Sequence, residues 1–112
     1  VLFSGGGAAT PFPNYTSYAC SKAAVVRFTE TIAQEMAPYH IEVNCIAPGF
    51  VITRLHEQTL NAQEKAGAEF VEKTKQEVDR GGVPIELGAS AAAFFVSDAS
   101  RGITGKFIAA PY

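Results

Sequence analysis

Tyr18 and Lys22 stand four residues apart in the run Tyr-Thr-Ser-Tyr-Ala-Cys-Ser-Lys that begins at Tyr15. On a helix that interval brings both side chains onto one face, a turn apart. An ammonium near a phenol favours phenolate over the neutral form and so lowers the phenol's pKa. Such a pair is suited to giving a proton to an oxyanion, or taking one from an alcohol, near neutral pH. Taken alone, the pair reads more simply as two side chains on a solvated face, and it is the downstream residues that give it weight. The two cysteines, Cys20 and Cys45, have neither CxxC nor Cys/His spacing, so no zinc site or disulfide framework is suggested.

The elements that must hold the pair follow from periodicity. Tyr18, Lys22, Val25, Thr29, Ala33 and Met36 recur at three- to four-residue steps, which predicts a helix over Tyr15–Met36. The polar pair lies at the N-terminal end of a stripe otherwise mostly buried, a placement that favours a cleft. Pro38 ends that helix. Upstream, Val1–Phe3 reads as a short buried strand stopped by Ser4-Gly5-Gly6-Gly7. Those glycines allow a sharp turn or close approach to a ligand, but neither GxGxxG nor the Walker pattern is present. Thr10–Asn14, with Pro11 and Pro13, is a loop, and Asn14, Thr16 or Ser17 is the expected helix cap.

Ile41–Ala47 is the best strand of the chain, β-branched and largely apolar, as suits a parallel strand covered on both faces. Pro48-Gly49 stops it. The loop Phe50–Thr53 then leaves from the strand's carboxyl end, where open α/β sheets bind their ligands. Arg54–Gly82 is rich in Glu, Lys and Gln with a helical pattern, and suits a lid of one or two helices or a solvated surface excursion equally well. Pro84 marks an expected first helical position, with Leu87, Ala91, Phe94 and Phe95 as the apolar face of a helix ending near Asp98. The turn Ser100–Gly105 leads to a last strand, Lys106–Ala110. This alternation predicts a parallel α/β sheet with right-handed crossovers.

Composition removes several classes of function. A net charge of −2 gives no basic footprint for nucleic acid, and no apolar run has the length needed to cross a bilayer. Free thiols fit a reducing cytoplasm. With 112 residues there is room for one domain. The chain opens within an apolar run, without an initiator Met, and closes at Tyr112 just after another, so a piece of a larger domain is expected.

Together these residues match a family. The chain resembles the C-terminal part of a short-chain dehydrogenase/reductase, a single-domain Rossmann-type oxidoreductase. The matching elements are Tyr18-Ala-Cys-Ser-Lys22 (YxxxK), Val43-Asn44-Cys45-Ile46-Ala47-Pro48-Gly49 running to Thr53 (PGxxxT), and Ser97-Asp98 followed by Ile103-Thr104-Gly105. The resemblance implies an α/β fold, the C-terminal portion of a doubly wound parallel sheet over residues 1–112, with 54–83 as a substrate lid. It implies hydride transfer between NAD or NADP and a carbonyl/alcohol substrate. Tyr18 would be the acid/base, and Lys22 would lower its pKa and bind the nicotinamide ribose. Pro48, Gly49, Val51, Ile52 and Thr53 would line the nicotinamide end. A homodimer or homotetramer paired through the helix at Tyr15–Ala37 is expected by the same resemblance.

The catalytic serine is where the sequence departs from the family. Its usual place, thirteen residues before the tyrosine, is Gly5 here, with Ser4 one residue earlier. Ser4 is read as the substitute polarising group. Alternatively it is a strand-end hydroxyl, and Thr10, Ser17 or no residue serves. The family's Gly-rich pyrophosphate turn, its ribose-selecting residue and its catalytic Asn all belong upstream of Val1, so the isolated piece is expected to be inactive. Two other readings stand beside the oxidoreductase: a cofactor-binding or scaffold relative without turnover, motivated by Gly5, and a related epimerase or dehydratase. The PGxxxT-to-ITG spacing favours the dehydrogenase form over the longer epimerase form.

Overall fold

Three short apolar runs become strands, and the helices between them bring the strands alongside one another in parallel. A computed structural model describes residues 1–111. Strand β1 is Leu2–Phe3, helix α1 Thr16–Met36, strand β2 Cys45–Ala47, helices α2 Arg54–Ala62, α3 Ala68–Asp79 and α4 Ile85–Phe95, and strand β3 Phe107–Ala109. The sheet order is β1-β2-β3, parallel throughout, with Leu2 opposite Cys45 and Cys45 opposite Phe107. This is the α/β arrangement expected from the alternation of elements.

Both faces of the central strand are covered, and the pleat shows by what. Cys45 and Ile46 are each 0 % exposed and, as strand neighbours, point to opposite faces. The Cys45 thiol meets the Thr29 hydroxyl of α1, and burial pushes that thiol's pKa up despite the hydrogen bond. Phe3, which is in register with Ile46, lies near Gly88 of α4. Helices α1 and α4 therefore sit on opposite sides of the sheet, the doubly wound layering. Thr29 and Ala33 are the buried positions of the long α1 stripe.

Several boundaries differ from the sequence expectation, each for a local reason. The strand expected over Ile41–Ala47 pairs as a ladder only at Cys45–Ala47. Before that, the backbone is engaged otherwise. Val43 N–H donates to Thr104 Oγ1 at 3.0 Å, Gly105 N–H to Val43 O at 2.8 Å, and Asn44 Nδ2 to Ile103 O at 2.7 Å. Asn44 Oδ1 accepts from Lys106 N–H in addition. The Val43-Asn44 and Ile103-Thr104-Gly105 signatures thus clasp one another at the start of β2 and β3. Helix α1 has no side-chain cap from Asn14, Thr16 or Ser17. Tyr15 is its N-cap residue and Asn14 adopts a left-handed φ of 68°. Pro84 is the N-cap of α4 rather than its first helical residue. That helix stops at Phe95, because Ser97 and Ser100 turn back onto its last carbonyls: Ser97 Oγ donates to Phe94 O at 2.7 Å and Ser100 Oγ to Phe95 O at 3.1 Å. Among the described residues no helix is long and apolar enough to cross a membrane.

Candidate active site

The turn after β1, the first turns of α1, and the loop after β2 meet at the carboxyl ends of the strands. They enclose a cleft of about 1010 Å³ whose lining includes Ser4, Gly5, Tyr18, Lys22, Pro48, Gly49, Val51 and Thr53. Helix α3 closes another wall with Phe70, Lys73 and Glu77. Of the sequence-predicted residues, Ile52 and the alternative hydroxyl Ser17 are outside this lining, while Thr10 is part of it. Ile52 is exposed, and its side chain lies beside Gly82.

Tyr18 and Lys22 share a face of α1 as their spacing requires. Lys22 Nζ lies over the Tyr18 ring, 5.7 Å from its centroid, in a cation–π arrangement. Burial pushes the Tyr18 phenol above its ordinary value of 10.0. The lowering expected from Lys22 does not set the phenol's pKa here: withdrawal of the phenol from water, which disfavours phenolate, is the cause that acts on it. The neutral, proton-donating phenol is the form held near neutral pH. Its ring is kept in place by Phe12 and Tyr15, edge-on at centroid distances of 6.1 and 6.4 Å.

Ser4 is 4 % exposed, and its hydroxyl donates to the backbone carbonyl of Lys22 at 2.8 Å. It ties the end of β1 to α1 one turn beyond Tyr18. The residue directly facing the phenol is Gly5. A Cβ built on it would lie 2.9 Å from Tyr18 Oη and 4.0 Å from Lys22 Cε.

The loop after β2 is fixed at both ends. Gly49 has φ +88°, and a Cβ there would meet Pro111 Cγ at 2.5 Å and Val83 Cγ2 at 3.0 Å, so the Pro-Gly turn requires glycine twice over. At the far end Thr53 is the N-cap of α2, and its N–H donates to His56 Nδ1 at 3.2 Å. An acceptor three residues into the helix that reaches back to the N-cap amide is one half of a capping box, here made by an imidazole. Because Nδ1 accepts, the ring proton is assigned to Nε2. His56 is buried, its ring 3.9 Å from that of Phe50, and burial pushes its pKa below 6.5. Sequence reading missed His56. The one signal was its position, three residues after a Thr that could cap.

Phe70 connects the α2–α3 excursion to the same site. Its ring packs on Phe12 and Tyr15 at 4.7 and 5.1 Å, and the Tyr15 hydroxyl bonds the Thr59 hydroxyl of α2. Phe12 of the loop before α1, Tyr15 at its start and Phe70 of α3 thus form one aromatic wall beside Tyr18, to which Thr59 ties α2.

Known proteins resemble this chain in sequence and in fold. The family model described as enoyl-(acyl carrier protein) reductase matches residues 1–110. The chain is 39 % identical over 92 residues to the NAD-dependent glycerol dehydrogenase of Listeria innocua, covering 82 % of this chain and 34 % of that one. It is 33 % identical over 108 residues to dehydrogenase/reductase SDR family member 4 of Sus scrofa, covering 96 % of this chain and 37 % of the relative. A solved structure of NAD+-bound xylitol dehydrogenase superposes with a TM-score of 0.78 at 27 % identity, over 96 % of this chain and 45 % of that one. The chain spans little more than a third of the length of these curated relatives. With the family model covering nearly every residue, the chain belongs to the short-chain dehydrogenase/reductase family.

Proposed function

We propose that this chain carries the acid/base part of an oxidoreductase that interconverts a carbonyl and an alcohol with NAD or NADP. The observation that carries the reading is convergence. Tyr18 and Lys22 from α1 and the Pro48–Thr53 loop from the end of β2 line a single cleft at the carboxyl edge of a parallel sheet.

The residues present fit the nicotinamide end of such a cofactor. The cleft is of the size small-molecule sites have, roughly 300–1,000 Å³. Gly49 contributes side-chain-free backbone to its lining. Pro48, Gly49, Val51 and Thr53 would hold the nicotinamide, with Ile52 bracing the loop from outside. The Thr53 amide is committed to His56 Nδ1, and the Thr53 hydroxyl accepts from the His56 backbone N–H in the same capping box, so it would meet the ligand through its own O–H. Lys22 would reach the ribose hydroxyls. When bound, the cofactor supplies or accepts the hydride. Tyr18 donates its phenolic proton to the substrate oxygen in the reducing direction and removes it in the oxidising direction. Ser4 acts as a strut, holding the end of β1 against α1 through its bond to Lys22 O. The α2–α3 segment serves as the substrate-side lid, and pairing through α1 into a homodimer or homotetramer, in a cytoplasm that keeps Cys20 and Cys45 reduced, belongs to the same proposal.

A specific observation favours one second reading. Glycine faces Tyr18 where the family's serine is expected, which suits a cofactor-binding relative without turnover. The test uses the protein at its natural length: NADH and NADPH binding by fluorescence, then cofactor oxidation with a panel of ketones and aldehydes. The expected result is binding and turnover, with Tyr18→Phe losing at least about 100-fold in rate, the scale of a lost general acid, while keeping its melting temperature. Binding without turnover in the parent protein selects the second reading. Failure to bind either nucleotide overturns the cofactor, and full turnover in Tyr18→Phe overturns the role of Tyr18.

A further inference from the structure

Gly5 stands where β1 ends and the cleft begins. Its φ is outside the left-handed region, so the backbone there accepts any L-residue. What opposes a side chain is the Tyr18 hydroxyl: a Cβ on Gly5 would stand 2.9 Å from Tyr18 Oη, closer than such contacts occur. The neighbouring glycines differ. A Cβ on Gly6 would make a near-ordinary contact of 3.4 Å with the Phe12 ring, while one on Gly7 would run into Ala19 of α1, with the Cα at 2.9 Å. Gly5 is thus the glycine of the three set against the hydroxyl proposed to move the proton. Nor does the phenol swing aside freely, with Phe12 and Tyr15 edge-on to its ring and Lys22 above it.

We infer that Gly5 is a positioning residue for Tyr18: its missing side chain lets the phenol hydroxyl lie against the end of β1, and any side chain there, a serine included, displaces the hydroxyl. The catalytic meaning of this contact rests on the oxidoreductase reading, but the contact itself does not. Its consequence is that a substrate oxygen in the cleft meets Tyr18 without a partner hydroxyl from position 5, while the Ser4 hydroxyl proton is committed to Lys22 O. A family member of ordinary pattern and this chain would then differ in where the acid sits, as well as in one hydrogen bond.

The decisive experiment is a double-mutant cycle on the protein at its natural length, with Gly5→Ala made in the parent and in Tyr18→Phe, read by melting temperature. Gly5→Ala is expected to lower the melting temperature of the parent. It should leave that of Tyr18→Phe unchanged or slightly raised, since the obstructing oxygen is gone and alanine restricts the unfolded chain. Equal losses in both backgrounds overturn the inference. Ultraviolet titration of the Tyr18 phenol, isolated by subtracting Tyr18→Phe, supplies a readout that a purely structural role would not move. The midpoint is expected to rise in Gly5→Ala, where a methyl further excludes water, and to fall in Gly5→Ser, where a hydroxyl donates to the phenolate. An unmoved midpoint in both overturns it. In the turnover assay both variants should fall at least about tenfold below the parent, as for a misplaced catalytic group, and a Gly5→Ser enzyme faster than the parent overturns it. If the parent turns over with neither nucleotide, the oxidoreductase reading fails, while the cycle and the titration still decide the Gly5 contact.

Discussion

His56 and Thr53 hold each other across the first turn of α2, and the bond works only while the imidazole is neutral. A protonated ring has no acceptor to offer the Thr53 amide. Burial holds the folded-state pKa of His56 below 6.5, so as pH falls through 6.5 the unfolded chain takes up a proton that the folded chain resists. Stability from this group is therefore fully present above pH 6.5 and declines below it, until the folded pKa is passed, by at most about 1.4 kcal/mol per pH unit for one proton. Urea midpoints of the parent protein and His56→Gln, compared between pH 7.5 and 5, should converge as pH falls. Parallel curves would remove His56 from the cap. In the proposed reaction the Tyr18 phenol carries the opposite sign. Its pKa is raised by burial, so carbonyl reduction should be flat across neutral pH and fall only in strongly alkaline solution. Alcohol oxidation, which needs the phenolate, should climb through the same range. A pH–rate profile in each direction checks this, and two profiles of the same sense would assign the proton to another group.

Elements are fixed by contacts that sequence patterns register only in part. The Tyr18–Lys22 spacing correctly placed both side chains on one face of α1, because helical geometry is set by the backbone. It did not place the ammonium, because spacing does not choose the rotamer that carries Lys22 over the ring. Ile41–Ala47 looked like a full strand because β-branched residues were present, yet a ladder needs partners along its whole length, and Thr104 and Gly105 occupied the start of it. Two substitutions test packing at this scale. Gly7 has φ +82° and lies against Ala19, so Gly7→Ala should cost at least about 2 kcal/mol from strain and overpacking. Gly6→Ala should stay within about 0.5 kcal/mol. Equal effects would mean that the turn is not seated on α1. Thr74 of α3 is 0 % exposed, and its hydroxyl has no partner among the described residues. Thr74→Val keeps the shape and removes an unpaired buried donor. It should raise stability by about 1 kcal/mol, and a loss of that size would mean that a water or a ligand bonds the hydroxyl.

At the scale of the whole molecule, α1 and α4 clamp the sheet from opposite faces, whereas α2 and α3 are tied to the rest chiefly at the aromatic wall. Composition alone leaves Arg54–Gly82 divided between a lid and a surface excursion, since a Glu- and Lys-rich segment fits both. Phe70 decides how the segment attaches. It is the apolar residue of α3 that reaches Phe12 and Tyr15, in the same wall that flanks Tyr18. A segment held at one such wall should open as a unit at lower free energy than the sheet. Phe70→Ala should then speed amide hydrogen exchange across residues 54–79 by at least about tenfold. That corresponds to losing about 1.4 kcal/mol of local stability, less than a fully buried Phe→Ala because Phe70 is only half-buried. Protection at Cys45–Ala47 and Phe107–Ala109 should be unchanged. If the sheet amides lose protection in step with the helices, the segment is part of one cooperative core and no lid can open without unfolding the site it covers.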